Sequence, residues 1–356
     1  MTELQDLQRA QGARLAADGI PLDYGDQLAE YRAALAAAVL MDRSHEGRLT
    51  LSGRDRLTLM HRMSTGDLEA LAVGAGCATL FTTPNARMLD RAVIVNRGDD
   101  TLVLTGPGRG PALQAYLQRN IFFNDEVRSA DLAEATRLFM LHGPAAGAIM
   151  ARMEAALADL PIFSGTLVTV AETPIYVVRI KPLSTDAWAL IVPTEGAAAV
   201  WTALLALGEV DGLRPAGSLV YHALRVRAGR PAAHSELTDA FIPLELGLWD
   251  EVNFTKGCYT GQEIIARMES RGRLARTLVR LRLSAAQAAP ADLLLAGRSA
   301  GTLTSSVTTP DGEHLGIGVV RMAHAQPGAQ FQVGDATATV IDLAGVQRPD
   351  LREETE

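Results

Sequence analysis

One eight-residue stretch concentrates the chemistry this chain could perform: Lys256-Gly257-Cys258-Tyr259-Thr260-Gly261-Gln262-Glu263. It sets one of only two cysteines between a lysine and a helix start. Thr260 and Glu263 have the Thr-x-x-Glu spacing of a capping box, and the apolar residues Ile264, Ile265 and Met268 follow. That spacing makes Thr260 the N-cap and leaves Cys258 two residues outside the helix. The first-turn N–H groups of a helix lack internal partners and carry partial positive charge. Lys256 adds a full charge nearby. Both favour thiolate over thiol, and the thiolate is the nucleophile and the metal ligand. Gly257 and Gly261 free the backbone for a tight, exposed conformation. The competing reading is a free cysteine packed as a small hydrophobe.

Other groups offer less. Gly106-Pro107-Gly108-Arg109-Gly110 could cradle a phosphate, but proline removes a backbone donor, and a plain turn suffices. His45, His61 and His142 stand apart, and no His, Cys or carboxylate cluster has metal-ligand spacing. Ser44-His45-Glu46 has the residue types of a triad, but immediate neighbours seldom converge on one point. Asp90 closes a turn-strand unit where a carboxylate could hold a nitrogenous ring. Trp188 lies in an apolar strand, as core or, if half-exposed, as a stacking face for a heteroaromatic ligand. Arg267, Arg271, Arg273, Arg276, Arg280 and Arg282 crowd behind the cysteine. They read as a solvated face, or as an anion site for a polyglutamate tail, a phosphate or an RNA backbone.

The elements that must position these residues can be read from periodicity. Helices are expected over 1–20, 27–40, 55–63, 111–119, from Gly143-Pro144 to about 157, 196–207 and 217–227. Strands are expected over 48–53, 77–82, 89–96, 101–105, 138–142, 167–170, 175–180 and 188–192. Beyond residue 275 strands dominate, over 277–283, 301–307, 316–321, 330–333 and 337–343, with glycine turns that suggest a small β-barrel or jelly roll. Residues 350–356 read as a frayed acidic end.

With 356 residues the chain calls for two or three domains. Its 48% hydrophobic and 21% charged residues are ordinary for a soluble protein. No apolar run is long enough to span a bilayer, and no signal peptide is legible. Two cysteines, Cys77 and Cys258, make no disulfide framework and fit a reducing cytoplasm. A net charge of −8 argues against nucleic acid as the general ligand.

Lys256-Gly257-Cys258-Tyr259-x-Gly261-Gln262-Glu263 resembles the signature of the YgfZ-type folate-binding proteins. These share a superfamily with the aminomethyltransferase (T-protein) of the glycine cleavage system. Asp42-Arg43-Ser44-His45-Glu46-Gly47, Gly53-Arg54-Asp55, Leu224-Arg225-Val226-Arg227-Ala228-Gly229 and Gly297 to Ser306 are similar to further superfamily segments. The resemblance implies an α+β fold, a T-protein-like folate-binding body of two mixed α/β subdomains plus a C-terminal small β-barrel. The expected division is 1–250 (subdomains roughly 20–135 and 136–250), a motif-bearing linker 251–274 and a barrel 275–356.

The resemblance also implies tetrahydrofolate, or a one-carbon derivative, as ligand. For YgfZ-type members it implies assembly or repair of iron–sulfur clusters, including those of tRNA-modifying enzymes, with the signature cysteine credited. Cys258 is then the thiolate, Lys256 its ionising cation, and Gln262 and Glu263 the residues that fix the loop. Trp188 is the stacking candidate, with Asp90 and Arg225 as polar contacts. A single thiolate cannot hold a cluster alone, so an assembly protein, a client enzyme, a dimer mate or glutathione completes the shell. The alternatives are aminomethyl transfer to tetrahydrofolate and a non-catalytic RNA- or protein-binding module. Against transfer stand Leu89-Asp90-Arg91, where a T-protein carries paired aspartates, Thr185 where its pterin-holding glutamate falls, and Val220-Tyr221-His222 in place of its Ala-Arg-Asp. Arg227 departs too, since both branches usually have glutamate there.

Overall fold

The computed structural model of the chain describes residues 2–272 and 274–347, so Arg273 and the 350–356 tail lie outside the described residues. Helix α1 (Glu3–Ala10) starts at a capping box, with Thr2 Oγ1 accepting the Gln5 N–H and Gln5 Oε1 accepting that of Thr2. The helix expected over 1–20 stops there, and a ribbon of β1 (Arg14–Leu15) and β2 (Pro21–Asp23) follows. Helix α2 (Gln27–Ala36) is capped by Asp26, and the segment expected to extend it to residue 40 is instead β3 (Ala38–Asp42). Every residue of β3 is buried. A continuous apolar run fits either a buried strand or a helix, and here the flanking strands decide.

The chain continues through β4 (Glu46–Ser52), α3 (Arg56–Met63), β5 (Gly76–Thr82), β6 (Met88–Asn96), β7 (Asp100–Pro107) and α4 (Gly110–Arg119). Next come β8 (Arg128–Asp131), β9 (Thr136–His142), α5 (Ala146–Met153), β10 (Gly165–Val170), β11 (Thr173–Arg179) and β12 (Ala187–Pro193). Helix α6 (Ala197–Gly208), β13 (Leu213–Pro215), α7 (Ser218–Arg227) and α8 (Gln262–Arg271) precede the last six strands. These are β14 (Arg276–Leu283), β15 (Ala291–Leu295), β16 (Arg298–Thr308), β17 (His314–Arg321), β18 (Gln330–Val333) and β19 (Ala336–Leu343). They close a barrel in the order β14-β17-β16-β15-β18-β19. Five of these strands are legible in the sequence. The sixth, β15, follows Pro290 and buries only Leu293, so its alternation is faint.

Backbone packing divides the chain into two interleaved units. The first takes in Met1–Leu59, Leu68–Ala78 and Ala92–Leu224, the second Met60–Asp67, Thr79–Arg91 and Arg225–Glu356. In the first unit a six-stranded sheet runs β10-β11-β12-β9-β3-β13. Its central strands β3, β9 and β12 are buried on both faces over most of their length, whereas the edge strands β10 and β13 keep exposed residues. Phe139 and Leu141 of β9 face a cluster with Trp188, Trp201 and Ile149, while Leu138 and Met140 face one with Val95, Leu102 and Ile191. A five-stranded sheet, β5-β6-β7-β4-β8, supplies part of the second cluster. In the second unit the barrel encloses Leu281, Leu293, Leu303, Phe331 and Val340, and a separate cluster joins Trp249, Tyr259, Ile265, Leu278 and Ile317.

Ser44, His45 and Glu46 do not converge. Ser44 Oγ donates to Asp42 at 2.6 Å, Glu46 accepts from Arg43, and the His45 Nδ1 is buried without a hydrogen-bond partner. Burial, with Arg43 and Arg48 nearby, pulls the His45 imidazole down from 6.5 to about 4, against an opposing effect of Asp18. As pH falls through that window the unfolded chain takes up the proton before the native one does. The stability due to a neutral His45 is therefore complete above about pH 6.5 and is lost toward pH 4. His45→Gln, which cannot titrate, is expected to show a smaller loss of unfolding midpoint between pH 7.5 and 4.5 than the wild type in urea titrations. Equal losses would remove His45 from the acid lability.

Candidate functional site

In the second unit the segment 251–260 is tied to the short segment 60–67. Asn253 N–H donates to the Thr65 carbonyl at 2.9 Å, and Thr65 Oγ1 donates to the Glu251 carbonyl at 2.7 Å. Thr260 N–H donates to the Arg62 carbonyl at 3.3 Å. Asn253 also folds its own loop, since its Oδ1 accepts the N–H groups of Thr255 and Lys256 at 2.8 and 2.9 Å.

Lys256 does not stand as a free cation beside the thiol. Its residue is 9% exposed, and its ammonium donates to the carbonyls of His61, Ser64 and Gly66 at 2.5, 2.9 and 2.5 Å. An ammonium has three donors, and all three are spent. The Nζ also lies 5.1 Å from the centroid of the Tyr259 ring. Lys256 is thus a clamp on the loop, and its charge is held in place by carbonyl dipoles two residues before Cys258. Tyr259 is buried in the same cluster as Trp249 and Ile265, and burial pushes its phenol up to about 12.

The helix start also differs from the expected one. The N-cap of α8 is Gly261, at φ +89°, with no side-chain cap. Thr260 and Glu263 therefore form no capping box: the Thr260 carbonyl accepts from Thr82 Oγ1 at 2.6 Å, and Glu263 points to solvent. A Cβ on Gly261 would lie 2.6 Å from Thr82 Oγ1 and 2.8 Å from the Thr83 carbonyl, so position 261 is closed to other residues by both backbone angle and space. Gln262 reaches back to the Lys256 carbonyl at 3.5 Å. With Lys256 and Tyr259 turned inward, Gly257 and Cys258 are left exposed. The His61 ring, which sequence spacing did not connect with the motif, lies alongside. Its Nε2 is 3.9 Å from where a Gly257 Cβ would be, and its Nδ1 is 3.2 Å from Asp67 Oδ1. No periodicity could have signalled this, because nearly two hundred positions separate the two segments.

The three ligand candidates are placed differently. Trp188 has 0% exposure and sits in the first unit's core with Phe139 and Trp201, its Nε1 donating to Asp186 at 3.4 Å. It is a core residue, not a stacking surface. Arg225 lies in the second unit with its guanidinium consumed inside the fold. Nη1 meets Glu236 at 3.3 Å and Nη2 donates to Ser305 Oγ at 2.7 Å. Glu236 is 0% exposed and also accepts from Ser305, Thr304 and the Ala232 N–H. That network fastens the end of α7 to β16, so Arg225 is structural rather than a contact for tail carboxylates. Asp90 is 3% exposed on β6, where its Oδ1 accepts the Arg91 N–H at 2.9 Å. Arg91 forks onto Glu251 at 2.6 and 2.7 Å, a bidentate pair with a buried carboxylate.

The fold and this loop define a class. The chain matches the family described as "GCVT N-terminal domain" over residues 4–256, and it belongs to that family. It is similar to the Arabidopsis thaliana protein named "Putative transferase At1g60990, chloroplastic", with 32% identity over 334 residues, covering 93% of this chain and 76% of the relative. It is 29% identical over 361 residues to the aminomethyltransferase of Streptomyces coelicolor, covering 98% and 94% of the two chains. The crystal structure of glycine cleavage system aminomethyltransferase T from Bartonella henselae superposes with a TM-score of 0.82 over 95% of each chain at 22% identity. The expected T-protein fold, with mixed α/β sheets and a closed six-stranded barrel, is therefore the one observed. Among the described residues no helix is long and apolar enough to cross a membrane.

Two stability measurements test the geometry. Lys256→Met leaves three carbonyls without their donor and should cost about 3 kcal/mol in urea unfolding. Lys256→Arg should not restore it, because a planar fork cannot cap three converging carbonyls; full rescue by arginine would mean that charge alone matters. Arg225→Met strands the buried Glu236 carboxylate and should cost about 3–5 kcal/mol. A loss below about 1 kcal/mol would show the network to be dispensable.

Proposed function

We propose that this chain is a YgfZ-type, tetrahydrofolate-binding factor that serves assembly or repair of iron–sulfur clusters, including those of tRNA-modifying enzymes, in the cytoplasm. The observation that carries the reading is the presentation of Cys258. The loop is held by the Lys256 clamp, by buried Tyr259 and by the positive φ of Gly261, and the thiol is left exposed. Among the described residues no group of three or more His, Cys, Asp or Glu could hold a metal ion. A cluster takes four ligands as a rule, so Cys258 supplies one and a client, an assembly protein or glutathione supplies the others.

Tetrahydrofolate enters this reading through the family, whose relatives include aminomethyltransferases. Trp188 and Arg225, as placed, do not fit as its contacts, and no chemical step of this chain is assigned to it. Aminomethyl transfer is the second reading, favoured by similarity to an aminomethyltransferase over almost the whole chain. Against it stands Arg91, a cation bound to Glu251 where the T-protein pattern has its second aspartate.

Calorimetric titration with tetrahydrofolate under anaerobic, reducing conditions, wild type beside Cys258→Ala, separates the parts. Micromolar binding is expected in both, together with loss of iron–sulfur enzyme activity in cells that carry only the variant. Full cellular activity with Cys258→Ala would sink the thiolate role. Absence of binding in both proteins would remove folate. Ammonia and methylenetetrahydrofolate formed from an aminomethylated lipoyl carrier would establish the second reading instead.

A further inference from the structure

Among the described residues, the arginines downstream of the cysteine are not used by the thiol site and do not form one basic face. Arg276 is held by Glu245 at 2.7 Å and lies over the Phe241 ring, 4.8 Å from its centroid. Arg280 forks onto Asp342, with Nε to Oδ1 at 2.6 Å, and donates Nη1 to the Arg227 carbonyl at 2.8 Å. Arg267 and Arg271 are exposed on α8. Arg282 differs from all of these. Its side chain is 66% exposed, and its Nη2 stands 3.7 Å from Glu313 Oε1, beyond hydrogen-bond length.

The other oxygen of that carboxylate is taken by Arg227 Nη2 at 2.5 Å, with Asp311 Oδ2 farther off at 3.9 Å. Two guanidinium groups therefore converge on one carboxylate. They do so at a cavity of about 120 Å³ within the second unit, walled by Leu281 and Leu315 and lined also by Arg280. Asp342 offsets Arg280, which leaves Arg227 and Arg282 sharing Glu313. The lining itself carries three arginines and one glutamate, with Asp342 and Asp311 standing behind Arg280 and Arg227. Two arginine forks match the geometry of a carboxylate or a phosphate, and the aliphatic wall suits a short apolar stem. The volume is well above the ~10–15 Å³ that admits one water and well below the ~300–1,000 Å³ of a drug-sized site.

We infer that the Arg227–Arg282 cavity of the second unit binds a small molecule bearing an oxyanion, a carboxylate or a phosphate. Glu313 holds the convergence point as an internal competitor. It sits at the end of a turn closed by Thr309, whose Oγ1 accepts the Glu313 N–H at 2.9 Å, and its side chain is partly open to solvent. An incoming oxyanion shares or takes over the two forks. The inference is independent of the thiol site and of folate.

The test is calorimetric titration of the full chain with glutarate and, separately, with inorganic phosphate, at constant ionic strength. Saturable one-site binding of at least one is expected, and the preferred probe tells carboxylate from phosphate. Arg282→Gln, a change at a mostly solvated side chain, should weaken that binding about tenfold or more. Glu313→Gln removes the competing charge and should tighten it several-fold. Cys258→Ala should titrate as the wild type does. No saturable heat with either probe, or Arg282→Gln binding as tightly as wild type, would overturn the inference.

Discussion

The second unit depends on one buried ammonium. Lys256 reaches the carbonyls of His61, Ser64 and Gly66, a segment that is remote in sequence and has only eight residues in this unit. A buried cation is costly unless its protons are satisfied, and here carbonyl dipoles rather than a carboxylate satisfy them. The arrangement is directional. Three converging acceptors fix the position of Nζ, the stem fixes the Lys256 backbone, and the residues on either side follow. Thr65 and Asn253 complete the closure with backbone and hydroxyl bonds. The exposure of Cys258 is thus a consequence of what is buried around it, and the thiol itself needs no partner to hold the loop.

The same logic recurs at Arg225. Glu236 has no exposure and collects donors from Arg225, Ser305, Thr304 and the Ala232 backbone. A carboxylate so placed is stable only when its lone pairs are filled, which is why the arginine is drawn inward from the end of α7. The Leu-Arg-x-x-Ala-Gly segment therefore reads in this chain as the joint between a helix and a barrel strand. Arg227, two residues on, keeps part of its surface open and meets Glu313. Opposite faces of one helix turn thus present one arginine to the interior and another to solvent.

Much of this was legible in the sequence. The barrel followed from glycine-punctuated alternation, and the thiol loop from its residue types. What failed did so for physical reasons. Thr260 and Glu263 had capping-box spacing, but Thr82 claims the Thr260 carbonyl and a left-handed Gly261 takes the cap, and neither long-range contact nor backbone sign shows in spacing. Residues 38–42 are apolar enough for a helix and became a strand because β9 and β13 flank them. Trp188 looked like a ligand surface because sequence does not reveal which strands are covered on both faces. The clamping role of Lys256 was not legible because its acceptors are backbone carbonyls, which carry no residue-type signal.

Arg91 belongs to the same construction as the cysteine loop. Arg91 grips the Glu251 side chain with both ends of its fork, while the Glu251 carbonyl accepts the Thr65 hydroxyl. Glu251 is thereby the first anchored residue of the segment that leads through Asn253 and Lys256 to Cys258. An aspartate at position 91 would face Glu251 with like charge in a site where little water screens it, and the anchor would be lost. The cation at position 91 and the loop that carries Cys258 are then coupled by electrostatics. A chain that keeps Glu251 and this loop has reason to keep a cation at 91.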